Sequence, residues 1–437
     1  MDIDTLINAR WIVPVEPQGI VHENAALAIK DGRIVDIVPQ TETAHFRPAV
    51  TLDLNGHAVL PGLINTHGHA AMSLMRGLAD DLPLMEWLQQ HVWPAEQQWV
   101  GPEFVRDGSL LACAEMLRSG TTCFNDMYFF PEQTAEAAEL AHMRATIGMI
   151  MVDFPSAWAQ DADDYLHKGL ALHDKLKNNT LLTTAFAPHA PYTVSDAPLK
   201  KLLMYAEELD RPIHMHVHES ADEVHNAERE HGQRPLARLK DLGLLGPRLL
   251  AVHMTQLTPD EIAECGELGV NVVHCPESNL KLASGFCPVQ QLAAAGCNVA
   301  LGTDGAASNN DLDMFGEMRT AALLGKATAN DASALSAESV LRMATINAAR
   351  ALGLDNDIGS LQTGKSADLI AVDLGTIETQ PVYHPVSQLV YSTARNQVTD
   401  VWVAGRHVLK DRQLTTLDEK ELLERAAYWQ VKLTPVS

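Results

Sequence analysis

Short apolar runs rich in β-branched residues recur along the chain, separated by stretches whose apolar positions repeat at helical spacing. Eight runs have the length and composition of buried strands: 59–66, 121–127, 146–153, 181–188, 212–216, 249–253, 270–274 and 298–304. Between them, 196–210 places Leu199, Leu202, Leu203 and Ala206 on one helical face. Residues 258–268 open with a capping threonine followed by Pro259, Asp260 and Glu261. Regular alternation of strand and helix predicts a parallel sheet, and eight units predict an α/β fold closed into a (β/α)8 TIM barrel rather than an open doubly wound sheet. No run is followed by the G-x-G-x-x-G pattern of a dinucleotide site.

Polar residues collect where a barrel would use them. His67 and His69, His216, His253, His274 and Asp304 all stand at the carboxyl ends of their runs, the face on which barrel enzymes work. One histidine ending an apolar strand is more often packed or solvated than a ligand; agreement among five strand ends carries the argument. In an extended segment His67 and His69 project from the same face and can aim at one point. Three neutral imidazoles and one carboxylate, from the first, fifth and eighth strands, suit one divalent transition metal, with zinc first and iron(II) or manganese(II) as alternatives. A zinc ion with an open position lowers the pKa of water to about 7.

Four segments together resemble the amidohydrolase superfamily: Pro61-Gly62-Leu63-Ile64-Asn65-Thr66-His67-Gly68-His69, His216-x-x-Glu219, Ser278-Asn279-Leu280-Lys281-Leu282, and the run from Leu301 to Asn309. Within it they resemble the mononuclear deaminase branch, which includes 5'-methylthioadenosine/S-adenosylhomocysteine deaminases and triazine chlorohydrolases. The likeness covers nearly the whole chain. It implies His67, His69, His216 and Asp304 as metal ligands, Glu219 as proton shuttle to the substrate ring, and His253 beside the attacking water. Asp304 would also accept a proton. Dimetal relatives use a carboxylated lysine on the fourth strand; here that strand ends Phe186-Ala187-Pro188-His189, which favours one metal.

The implied reaction is hydrolytic deamination at C6 of an adenine nucleoside, giving the inosine analogue and ammonia. Such a reaction needs hydroxide at the carbon bearing the amine and two proton transfers, hence a carboxyl close to the metal. Glu219 stands three residues after His216 and can reach a ring while His216 stays on the ion, although Glu219-Ser220-Ala221-Asp222 also reads as a helix entry. His218, two residues after His216, is expected behind the ligands. On the substrate side the resemblance implies Trp87 covering the nucleoside, Glu96 on the ribose hydroxyls, His189 against the purine or ribose, and Ser308 beside them. Glu96 follows Pro94 and could equally be a helix N-terminal carboxylate. A guanine or triazine aminohydrolase or chlorohydrolase is the alternative activity, and a non-catalytic barrel scaffold the alternative class.

Relatives that accept S-adenosylhomocysteine well carry arginines after the third strand. This chain has none between 153 and 164, and instead has Asp153, Asp161, Asp163 and Asp164. Like charge there would disfavour a substrate carboxylate. Phe154 and Trp158, with Met127, Phe129 and Phe130, offer apolar, sulfur-compatible surface. The expected order is therefore 5'-methylthioadenosine, then adenosine, with S-adenosylhomocysteine poor.

At 437 residues the chain exceeds a bare barrel of about 250. The surplus, 1–57 and 360–437, carries alternating runs and a Lys30-Asp31-Gly32-Arg33 hairpin turn, and is expected to form one small β-sandwich domain from both termini around a catalytic barrel at 58–359. Residues 336–352 read as a helix leading back to it, stopped by Gly353. A net charge of −24 argues against nucleic-acid binding. No apolar stretch reaches the ~20 residues that span a membrane, and a cytoplasmic setting is expected. Six isolated cysteines read as buried thiols. Homo-oligomerisation is implied by the resemblance alone.

Overall fold

The computed structural model describes residues 1–434. Eight strands stand side by side in chain order: Leu63–Gly68, Thr121–Asp126, Arg144–Met151, Leu182–Pro188, Ile213–Val217, Leu249–His253, Asn271–His274 and Asn298–Leu301, called here barrel strands one to eight. Every neighbouring pair is parallel. The ends of the sheet meet where the Asp304 amide donates to the His67 carbonyl at 3.0 Å. Helices cover the outside as their patterns require. Asp196–Glu208 buries Leu199, Leu202 and Ala206, and Pro259–Leu268 begins with a reciprocal capping box between Thr258 and Glu261.

A second eight-stranded sheet joins the chain termini. Asp2–Ile12, His22–Lys30, Arg33–Pro39 and Arg47–Pro61 come from the amino end; Leu369–Asp373, Val398–Val403, Arg406–Lys410 and Gln413–Leu414 come from the carboxyl end. The halves meet antiparallel, Leu369 opposite Pro61 and Ile370 opposite Leu60. Ile7, Leu27, Ile34, Leu369 and Trp402 fill one side of it. The hairpin at Asp31 and Gly32, both at positive φ, stands where the turn residues predict it.

Two expected elements divide. The run at 59–66 is two strands: Val59, Leu60 and Pro61 finish the terminal sheet, and Leu63 begins the barrel. An apolar run carries no mark of which ladder each residue joins. Gly62 is the one sign of the handover, since a Cβ there would stand 2.0 Å from the Thr122 hydroxyl oxygen. The helix expected at 336–352 is broken at Thr345 into Ala337–Met343 and Ile346–Ala351. A buried ion pair fastens barrel to sheet: Arg144, at the start of strand three, donates twice to Asp368 at 2.9 and 3.1 Å. All six cysteines are buried free thiols. Among the described residues no helix is long and apolar enough to cross a membrane.

Candidate active site

His67, His69, His216 and Asp304 converge at the carboxyl end of the barrel, with one donor atom from each within 4.8 Å of the others. The two strand-one histidines reach one point across a register shift between Asn65 and Gly68. The His67 and His69 Nε2 atoms lie 3.1 and 3.2 Å from the same oxygen, Asp304 Oδ1. All three histidines have Nδ1 engaged on the far side. His69 contacts the Met127 carbonyl at 2.6 Å, His216 the His189 carbonyl at 2.8 Å, and His67 the Nε2 of His214 at 2.8 Å. A donating Nδ1–H leaves Nε2 with a free lone pair turned inward, the tautomer a metal ligand requires. For His67 this makes His214 the acceptor, a role its sequence position did not reveal.

Asp304 is held from both ends. Its Oδ2 accepts from the hydroxyls of Ser278 and Ser308, each at 2.7 Å, and its Oδ1 accepts from the Gly305 amide at 2.8 Å. Its backbone is left-handed at φ +64, and Gly302 passes so close that a Cβ would meet the His67 amide nitrogen at 2.8 Å. Burial pushes the His67 imidazole down to about 4 and the His216 imidazole well below its usual range, so both are neutral near pH 7. Burial also disfavours charge on His69, but Asp304 and the Met127 carbonyl outweigh it and carry His69 up to about 9. A proton is thus drawn to where a cation would sit. Donor types, convergence and this local demand for positive charge all fit one divalent metal held by these four residues.

Glu219 follows strand five and is buried beside this centre, its Oε1 3.9 Å from His253 Nε2. Burial, then the nearby His253 and Asp304, set its carboxyl, with a net shift upward. The His253 ring is fixed by Asn279, whose Oδ1 lies 2.8 Å from Nδ1. Glu223 accepts from the backbone amides of His218 at 3.0 Å and Glu219 at 2.7 Å, so one buried carboxyl pins the loop that presents Glu219. His218 contributes nothing directly to the site: its ring contacts the Gln256 carbonyl and the Leu236 amide, a clamp between backbone segments. Ser278, Asn279 and Glu223 were not assigned roles from sequence. The first two lie in a segment that resembles the family's, but spacing alone gives them no partner.

A cleft of about 910 Å³ opens from this centre. Trp87, Glu96, His189 and Ser308 all line it. Trp87 is on the helical segment Leu84–Trp87 and Glu96 on Trp93–Trp99, which form one wall. Glu96 accepts from the Tyr128 hydroxyl at 2.7 Å, and burial raises its carboxyl pKa. His189 is kept neutral by burial, down to about 3. The Ser308 hydroxyl is committed to Asp304 and to the Gly305 carbonyl, rather than free toward a substrate.

Apolar and aromatic side chains make up much of the lining, among them Met127 beside His69, Phe129, Phe130, Phe154 and Tyr192. Trp158 departs from expectation: it is buried against Tyr165, donates to Glu132 and does not line the cleft. The four aspartates also turn away. Asp153 accepts from the Ser195 amide, Asp161 caps Ala162–Leu176, and Asp163 and Asp164 pair with Lys201 and Lys168. Like charge from these aspartates therefore does not guard the cleft. Its lining, among the described residues, nonetheless contains no lysine or arginine.

A model described as the amidohydrolase family matches residues 58–408, and the chain belongs to that family. It is 54% identical over 431 residues to a 5-methylthioadenosine/S-adenosylhomocysteine deaminase of Saccharophagus degradans, covering 98% of this chain and 97% of that one. A protein of the same description from Teredinibacter turnerae is 52% identical, with 99% and 98% covered. Among solved structures, a zinc-bound adenosine deaminase from Xanthomonas campestris superposes with a TM-score of 0.98 at 53% identity, covering 99% of both chains. An atrazine chlorohydrolase from Arthrobacter aurescens, complexed with zinc, shares the fold at a TM-score of 0.91 and 23% identity, over 98% of this chain and 100% of that one.

Proposed function

We propose that the chain is a metal-dependent hydrolytic deaminase of adenine nucleosides that prefers 5'-methylthioadenosine. The observation that carries the reading is the pairing of Glu219 with His253, 3.9 Å apart, beside a four-residue donor set for one metal. When bound by His67, His69, His216 and Asp304, the ion, zinc by preference, supplies activated water for attack at C6. Glu219, its protonated form favoured by burial, donates to the ring nitrogen next to that carbon and makes the carbon more electrophilic. Asp304, held on Oδ2 by Ser278 and Ser308, accepts a proton from the attacking water. His253, its ring fixed by Asn279, orients that water from the Glu219 side. Glu219, now a carboxylate, takes up the second proton of the attacking water and passes it to the departing amine, which leaves as ammonia as the C6 carbonyl forms; the proton held by Asp304 restores the acid form of Glu219.

The wall residues give the nucleoside its place. Trp87 covers the base, Glu96 accepts from the ribose hydroxyls with Tyr128 steadying it, and neutral His189 contacts the purine edge. Beyond the ribose, Phe130, Phe154 and Tyr192 suit a methylthio group. Without a lining lysine or arginine, the carboxylate of S-adenosylhomocysteine lacks a counter-charge. Free buried thiols suit a reducing, cytoplasmic setting.

The test is loss of adenine absorbance by zinc-loaded protein with 5'-methylthioadenosine, adenosine, S-adenosylhomocysteine and adenine, with guanine followed in parallel. Turnover led by 5'-methylthioadenosine is expected. Turnover of free bases alone would remove the roles of Trp87 and Glu96 and leave the metal centre standing.

A further inference from the structure

The helix Met314–Ala329 follows the loop that carries Asp304, and Glu317 in its first turns is completely buried. Two hydrogen bonds reach its carboxyl, from different loops of the site. Oε2 accepts from the Glu277 amide at 3.3 Å, and Oε1 accepts from the Asn309 side chain.

Each donor stands next to residues that hold the catalytic groups. Glu277 is in the first turn of Pro276–Lys281, followed by Ser278, which donates to Asp304 Oδ2, and Asn279, which fixes His253. Asn309 follows Ser308, the second donor to that same Asp304 oxygen, and its amide also donates to the Thr303 carbonyl at 2.8 Å, just ahead of Asp304. Gly316 makes room: a Cβ there would lie 3.2 Å from the Glu277 carboxylate, which in turn accepts from Thr320 at 2.8 Å.

We propose that Glu317 is a positioning residue that ties together the loops after strands seven and eight, and so sets the placement of Asp304 and His253 for the proposed deamination. A buried carboxyl without a cation is costly, and an apolar side chain would fill the same space more cheaply. The nearby charged groups are themselves carboxylates, Glu277 and Asp311. Burial, then Glu277, holds the Glu317 carboxyl well above its usual range, in keeping with a neutral acid acting through hydrogen bonds. The polarity is retained where it joins the two serines that meet on one Asp304 oxygen.

The inference rests on the proposed deaminase reading, and its test separates the two. Full-length Glu317→Gln, Glu317→Met and Asn309→Ala are compared with the parent in the zinc form for kcat and KM, and in the cobalt(II) form by visible absorption. A misplacement of about 1 Å costs on the order of 10²-fold in turnover. Glu317→Met is expected to lose about that much in kcat, and Glu317→Gln and Asn309→Ala about tenfold, with KM changed by less than about twofold. The cobalt bands should shift in the same order, because Asp304 is a ligand. Should Glu317→Met fail to fold, the other two variants decide. Parental kcat and cobalt spectra in both would overturn the role of Glu317. A parent protein with no aminopurine turnover would overturn the deaminase reading, and the cobalt spectra would still judge Glu317.

Discussion

The floor and the mouth of the cleft are built on opposite plans. At the floor the converging groups are held by fixed partners: three histidines anchored through Nδ1, Asp304 gripped by two serines and an amide, and the Glu219 loop pinned by Glu223. At the mouth, Phe154 and Tyr192 are about half exposed, at 50% and 46%, and Met85 and Trp93 are also open to solvent. Fixed dipoles are where chemistry gains, because they require no reorganisation as charge develops. An apolar mouth discriminates weakly, since a methylene is worth only about 1–3 kcal/mol. In the proposed reading the floor carries the reaction and the mouth the choice of substrate.

Substitutions should divide along the same line. The largest effect is expected at His216→Ala, with zinc lost by elemental analysis and turnover abolished. Glu219→Gln should keep its zinc and lose about 10²–10⁴-fold in kcat; near-parental kcat would remove Glu219 from proton transfer. Ser278→Ala, which takes one of two hydroxyls from Asp304, should cost about 10–100-fold in activity or in zinc affinity measured by chelator competition. At the mouth, Phe154→Arg should leave adenosine turnover unchanged while raising kcat/KM for S-adenosylhomocysteine relative to 5'-methylthioadenosine about tenfold, through one charge-assisted contact. Equal change for all three nucleosides would show that Phe154 does not face the 5' group.

The smallest effect concerns stability rather than rate. Burial raises the Glu223 carboxyl to about 8. Its unfolded form ionises near 4.5, so between these values the folded state binds the extra proton, and stability falls as pH rises. Glu223→Gln should flatten urea-unfolding stability between pH 5 and 8. An unchanged slope would show that Glu223 ionises freely in the fold.

Sequence reading reached the floor better than the mouth, and for a physical reason. Metal donors are a few residue types, so the set of His67, His69, His216 and Asp304 that converges in the structure stands out before any contact is known. The groups that steady them are ordinary residues. The spacing of Glu223, Glu317, His214, Ser278 and Asn279 names no partner for any of them. Their roles depend on which buried atoms they face, which spacing does not encode. At the mouth, direction was the missing quantity. Trp158 and the four aspartates lie in the right segment but point into helix packing, capping and ion pairs. Phe154, from the same segment, points into the cleft. The barrel itself was legible because alternation fixes element type. The limits of its first strand were not, because Val59, Leu60 and Pro61 are as apolar as Leu63 and Ile64 beyond them.

The meeting of Leu60 with Ile370 also bears on how the protein is made. Arg47–Pro61 runs through Gly62 directly into the strand that bears His67, and one of its edges is covered only by Leu369–Asp373. On a ribosome that edge stays open until the whole barrel has emerged, although amino-terminal parts generally fold first. Chains stalled before Leu369 should therefore remain sensitive to protease around Val59, and those extended past Val403 should become resistant. Pairing of the strand that leads into His67 is thus deferred until all eight barrel strands have been made.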